Sequence, residues 1–166
     1  MDSIFNRTSI RKYKDISLKK EEIQKILKAG FCAPSAANKQ PWQFIVVENK
    51  ETLVNLSKMT PYAKPLEKAA LGIVACADLN IGINIDYCQQ DVAAATENML
   101  NEANSLGIGS CWLGVYPEQE RMLEINAYFK LPKGIIPLWM ISFGYPDEKI
   151  NVKDKWNEEK IHYEKY

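Results

Sequence analysis

Apolar positions along this chain follow two patterns, short unbroken runs and runs spaced at the helical repeat. "QFIVVE" (43–48), "LGIVACAD" (71–78) and "IPLWMISFGY" (136–145) are unbroken and predict buried strands, while "GSCWLGV" (109–115) predicts a shorter strand or turn. Ile23, Ile26, Leu27, Gly30 and Phe31 share one face of a helix over about 18–31, with Ser17 placed to cap it and Pro34 to stop it. "ETLVNLSKM" predicts a short helix. Asp86 with Gln89 has the spacing of a capping box opening a long helix to about Leu106. Pro117 is suited to the first position of a helix through about Phe129, with Met122, Leu123, Ile125 and Phe129 available for packing. These elements predict an α+β domain in which helices flank a mixed, mostly antiparallel sheet.

Two segments depart from the usual balance. "DVAAATENMLNEANSLG" is rich in alanine and poor in bulk, which suits a central helix that others approach closely, at a subunit interface if one exists. The last twenty or so residues mix lysine, glutamate and aromatics (Trp156, Tyr163, Tyr166) with no clean period. So many aromatics predict that the tail lies on something, a second chain included.

Composition narrows the function. With 166 residues the chain is one domain's worth, and Lys+Arg 21 against Asp+Glu 21 leaves no net charge. No basic field is available for unspecific nucleic-acid or anionic-lipid binding, so any anion site must be local. No apolar stretch has signal-peptide or bilayer-spanning length, and the expected compartment is the cytoplasm. Cys32, Cys76, Cys88 and Cys111 form no C-x-x-C pair or metal-ligand spacing, and Cys76 and Cys88 sit in apolar surroundings as small buried thiols.

Familiar catalytic signatures are missing. Gly107 and Gly109 are followed by Trp112 where a dinucleotide fingerprint needs glycine, and there is no phosphate-binding P-loop. His162 is the sole histidine, so a serine hydrolase (Ser35 with His162) or a metal site would rest on one tail residue. A chain so short of acids and bases leaves the chemistry to a cofactor, with no catalytic side chain and no metal of its own. Two polar stretches remain. "RTSIR" (7–11) brackets two hydroxyls with two guanidinium groups and reads as an anion site, a phosphorylation target at Ser9 or a solvated polar face. "APSAANKQPW" (33–42) is a proline-bounded loop that presents Ser35, Asn38 and Gln40, or simply a capped connection anchored by Trp42.

"RTSIRKY", "APSAANKQPWQFIVV", "GIGSCWLGVYP" and "FGYPDEKINVKDKW", in this order and spacing, resemble the nitroreductase family of flavin-dependent oxidoreductases. The likeness runs over nearly the whole chain, with the length of the compact members. It implies a single nitroreductase-like FMN-binding domain over 1–166 in an intertwined homodimer, the segment from about 150 to 166 packing on the partner subunit. Two non-covalent FMN molecules would lie in the interface, each touched by both chains. The family's R-x-S-x-R/K element falls on Arg7, Ser9 and Arg11, with Thr8 inside it. Its P-S-x-x-N-x-Q-P-W loop falls on Pro34, Ser35, Asn38, Gln40, Pro41 and Trp42 and would reach the partner's flavin. Trp112, Leu113 and Gly114 match the turn that offers N–H groups to the N5/O4 edge, and Lys153 and Lys155 match the basic pair at the phosphate.

This chain departs from the pattern at three points. Ala36 stands where relatives commonly have a second serine, and Lys-x-Lys replaces a basic pair containing arginine, keeping charge while losing the bidentate fork. No amide for the pyrimidine edge is evident between Thr60 and Lys68. The resemblance assigns Arg7, Lys153 and Lys155 to the phosphate, and Arg11 to the N1/O2 region where negative charge develops on reduction. It implies hydride transfer from NAD(P)H through flavin N5 to a small acceptor, such as a nitroaromatic or a quinone, in ping-pong order. The alternative is a flavin-binding or redox-sensing protein without turnover.

Overall fold

The structure is a computed structural model that describes residues 3–166. Its centre is β2 (Leu71–Asp78), buried at every position, as an unbroken apolar run requires of a strand covered on both faces. β1 (Trp42–Val47) lies on one side of it and β4 (Ile135–Gly144) on the other, with β3 (Gly109–Gly114) at the far edge. The order is β1-β2-β4-β3, and every strand pair is antiparallel. Among the described residues the one parallel pairing is a single bridge between Ser9 and Ser110. The expected α+β class with a mostly antiparallel sheet is therefore observed.

Alternation along β2 divides the interior. Ile73, Ala75 and Ala77 face one core with α2 (Lys20–Phe31) and the long α4 (Ile85–Ser105). Val74 and Cys76 face a second core with α3 (Lys50–Leu56), the 3-10 turn Lys64–Lys68 and α5 (Gln119–Phe129). Each fully buried leucine, isoleucine or methionine here contributes about 1.5–3 kcal/mol. A bulge between Ala75 and Cys76 sets them opposite Trp139 and Pro137, leaving Leu138 outside the register. The Leu138 carbonyl then accepts from both Val115 and Tyr116 N–H groups and ties the chain after β3 to β4.

The small residues of α4 serve close packing, with Ala95, Thr96, Met99 and Ala103 fully buried. A Cβ at Gly30 would stand 3.0 Å from Met99 Cγ, so α2 needs that glycine to approach. Ser3–Asn6 is a single turn, α1, whose Ser3 carbonyl accepts from Asn104 Nδ2 at 2.8 Å.

Helix starts differ from expectation, each for a local reason. Ser17 does not cap α2: Lys19 occupies the N-cap, and its N–H donates to the Glu22 carboxylate at 2.7 Å. Asp86 does not open α4: Asn84 does, accepting from Tyr87 N at 3.1 Å, and Asp86 lies inside the first turn. α5 begins at Gln119 rather than Pro117, because Tyr116 is still hydrogen-bonded to β4 and Glu118 N closes a turn on the Val115 carbonyl.

Candidate functional site

Segment 7–13 is pinned along the free edge of β3. Ile10 is buried and its N–H donates to the Ser110 carbonyl at 2.9 Å. Gly109 makes this possible, since a Cβ there would meet Ile10 Cβ at 2.7 Å. Tyr13 is buried too, its ring against Gly144, its hydroxyl bonded to the Ile10 carbonyl and to Ser142 Oγ at 2.8 Å. Burial pushes that phenol well above its usual range. Beyond it Tyr13 pairs with Pro146 and Lys14 N donates to the Tyr145 carbonyl.

With Ile10 and Tyr13 turned inward, Arg11 points outward. Its N–H and that of Lys12 both donate to Glu148 Oε1, the latter at 3.0 Å. These donors hold the Glu148 carboxyl below the usual carboxylate range. The backbone at Arg11 is thus fixed by a charge-assisted pair of hydrogen bonds, and its guanidinium has no carboxylate within 4.0 Å among the described residues.

Two cavities meet at Arg11. The first, of about 920 Å³, is lined by Arg7, Thr8, Ser9 and Arg11 together with Lys153 and Lys155 from the tail. Residues separated by some 140 positions in the chain so converge on one cavity, where basic side chains outnumber the acids Glu97, Glu148 and Asp154. Arg7 is partly engaged: its Nε lies 3.6 Å from the Glu97 carboxylate of α4, which also accepts from Asn101. The second cavity, of about 1160 Å³, is lined by Arg11 with Trp112, Leu113 and Gly114 of β3. A Cβ at Gly114 would meet nothing within 4 Å, so the backbone there borders open space. As an edge strand, β3 has no strand partner on this side past the Ser9–Ser110 bridge, which leaves outward N–H groups for a ligand.

The loop of Pro34, Ser35, Asn38 and Gln40 lines neither of these cavities. Ser35 Oγ accepts from Gln40 N at 2.9 Å, Gln40 Nε2 donates to Asn38 Oδ1 at 2.9 Å, and Ala36 N donates to Asp91 of α4 at 2.9 Å. Ala37, Asn38 and Gln40 all have φ near +50°, a conformation costly for residues other than glycine and held here by those bonds. No hydrogen bond joins Ser35 to His162 among the described residues; the imidazole instead stacks on Tyr166 at 4.2 Å.

Several residues at the site carried no signal of their own in the sequence. Tyr62, Lys64, Lys68 and Arg121 line the second cavity, with lysines in the place where an amide was sought. Glu148 and Glu97 hold the two arginines, a role that spacing alone does not announce. All four cysteines are free, and burial raises the thiol of Cys76 to about 12 and also raises those of Cys88 and Cys111. Among the described residues no three His, Cys, Asp or Glu side chains form a metal-binding group, and no helix is long and apolar enough to cross a membrane.

Comparison with known proteins agrees with the fold. The profile of the Nitroreductase family matches residues 4–81 and 84–145, and the chain belongs to that family. An Archaeoglobus fulgidus protein provisionally named NADH dehydrogenase/NAD(P)H nitroreductase is 45% identical over 98% of this chain and 96% of its own. A Clostridium acetobutylicum crystal structure, provisionally named an NADH oxidase, superposes with a TM-score of 0.96 at 43% identity, covering 99% of this chain and 100% of that one. An FMN-dependent nitroreductase from Clostridium difficile gives 0.93 at 33% identity, covering 99% of both chains.

Proposed function

We propose that this protein is an FMN-dependent NAD(P)H oxidoreductase whose cofactor lies across the junction of the two cavities. The observation that carries the reading is Arg11, shared by a cationic cavity suited to a phosphate and an edge-strand cavity suited to a flat ring. The residues present fit the group: five basic residues (Arg7, Arg11, Lys149, Lys153 and Lys155) line the first cavity, and Gly114 leaves the second open against strand backbone.

Arg7, Lys153 and Lys155 would hold the phosphate, assisted by the hydroxyls of Thr8 and Ser9. Each charge-assisted contact of this kind contributes about 1.5–3 kcal/mol. Arg11, its backbone fixed by Glu148, would set a cation at the pyrimidine edge and favour the reduced state. N–H groups in the Trp112–Gly114 stretch would face the opposite edge. The chemistry supplied by bound FMN is hydride transfer in two halves, from NAD(P)H and then to a small acceptor such as a nitroaromatic or a quinone, in ping-pong order. The chain's part is to bind, orient and polarise, with no acid or base of its own required.

The site is complete only in a homodimer. Pro34, Ser35, Asn38 and Gln40 would serve the partner's cofactor, which suits an internally hydrogen-bonded loop that lines neither of the two cavities at Arg11. Every residue of the tail from Lys149 onward is exposed in the single chain, and Trp156 is 71% exposed, which suits a segment that wraps a second copy. One domain spans 1–166.

Spectra of the purified protein test this reading directly. Yellow protein releasing FMN on denaturation and oxidising NADH or NADPH with menadione or a nitrofuran is the expected result. Protein that stays colourless with added FMN overturns it, and FMN bound without NAD(P)H oxidation reduces it to flavin binding or redox sensing.

A further inference from the structure

The second cavity holds cations that the proposed cofactor site does not use. Tyr62 is the exposed aromatic ring of its lining, and charge gathers nearby at Lys64, Lys68 and Arg121, whereas Trp112 and Leu113 turn their side chains into the two cores. Two of its carboxylates are neutralised locally: Asp15 pairs with Lys50 at 3.0 Å, and Glu67 with Lys64 at 2.6 Å. The hydrogen bond from Lys64 also keeps Glu67 below the usual carboxylate range. Lys68 and Arg121 have no carboxylate within 4.0 Å among the described residues, and Asp147 is the remaining acid in the lining.

Arg121 is also held in place. Its guanidinium carbon stands 5.6 Å from the centroid of the Tyr62 ring, within range of a cation–π contact, and both residues line this cavity. Lys68 reaches the same space from the turn that follows Tyr62. A chain with no net charge has thus placed a cationic pair beside the exposed ring of Tyr62. Such a pair at the mouth of a cavity raises the local concentration of ligands of opposite sign.

We propose that this cavity selects planar aromatic acceptors bearing a carboxylate or comparable anionic group, with Lys68 and Arg121 as the specificity-determining residues. The inference deepens the proposed oxidoreductase function and rests on it for the word acceptor. The anion preference itself belongs to the cavity and is measurable without turnover.

The test is calorimetric titration of the purified, FMN-supplemented protein with 4-nitrobenzoate and 4-nitrobenzamide, which match in shape and differ in charge. At about 20 mM salt the benzoate is expected to bind about tenfold more tightly, shrinking to about twofold near 0.5 M salt as screening sets in. In Lys68→Gln/Arg121→Gln the preference should vanish, whereas Lys68→Gln/Arg121→Lys, which retains a charge at position 121, should keep part of it. The ratio of kcat/KM for the two compounds should follow the ratio of their affinities. Equal affinities in the unaltered protein, or a preference that survives the double substitution, would overturn the proposal. A salt-sensitive preference in a protein that oxidises no NAD(P)H would support the anion site while removing the enzymatic reading, so the two can fail separately.

Discussion

Segment 7–13 and the tail from Lys149 reach the same cationic cavity but are held in opposite ways. The first is docked by strand-like bonds, by the buried side chains of Ile10 and Tyr13, and by glycines that clear room for both. The second is exposed throughout, and side chains within the tail itself accept the hydrogen bonds from Trp156 N and Glu159 N. Half of the proposed phosphate site is therefore held by buried contacts, and half by an exposed segment with few contacts of its own. Assembly and cofactor binding should be coupled for that reason: whatever covers the tail also holds Lys153 and Lys155 beside Arg7.

The largest effect expected from this difference is on stability. Tyr13→Ala removes a buried ring and leaves the partners of its hydroxyl unmatched, and should cost about 3–5 kcal/mol in denaturant unfolding. Tyr163→Ala, at a position 84% exposed in the single chain, should exceed about 0.5 kcal/mol only if a second chain covers it. A tail removed after Lys149 should halve the mass measured by light scattering and weaken FMN binding more than tenfold, about the loss of one or two charge-assisted contacts. A dimer that survives truncation would show that the tail is not what joins the chains.

Cofactor affinity gives the next contrast. Arg7→Ala should weaken FMN binding about 10–100-fold in a fluorescence titration, because the segment that carries it is ordered before the ligand arrives. Lys153→Ala should cost less, under about tenfold, since part of that contact is spent in ordering an exposed side chain. Equal losses would mean that the tail is as well organised as the docked segment. Arg11→Ala should instead shift the midpoint potential of the bound flavin to more negative values, with a smaller loss of affinity.

The legible part of this fold was its core. The unbroken runs predicted β2 at its observed limits and β4 to within one residue, because apolar burial on both faces leaves little freedom of register. β1 also falls within one residue, but as an edge strand it leaves Gln43 and Val46 exposed and is less buried than its apolar run predicts. Helix starts were less legible, since side-chain hydrogen bonds among several polar residues choose the cap: Glu22 selected Lys19 over Ser17, and Asn84 pre-empted Asp86. At the site, the ordered motifs marked Arg7 to Arg11 and Trp112 to Gly114, which the structure brings to adjoining cavities. Tyr62, Lys68 and Arg121 could not be found that way. They come from a turn and a helix far apart in the chain, and a lysine or arginine on a polar face has the same appearance whether it meets solvent or a cavity.

The smallest expected effect concerns Glu148, the residue through which the docked segment and the start of the tail touch. Its carboxylate accepts from the N–H groups of Arg11 and Lys12, which lower its pKa from the ordinary 4.5. A folded-state pKa depressed in this way adds stability that is present above the unfolded value and is lost as pH falls through the folded one. The docked segment should accordingly loosen below about pH 4.5, and FMN should dissociate there before the core unfolds. Glu148→Gln keeps an acceptor oxygen but cannot titrate. It should lower the thermal midpoint slightly at neutral pH and flatten the acid limb of the FMN-release profile, as followed by recovery of free-flavin fluorescence. If the acid limb keeps its shape in the variant, the anchoring of Arg11 does not depend on that carboxylate.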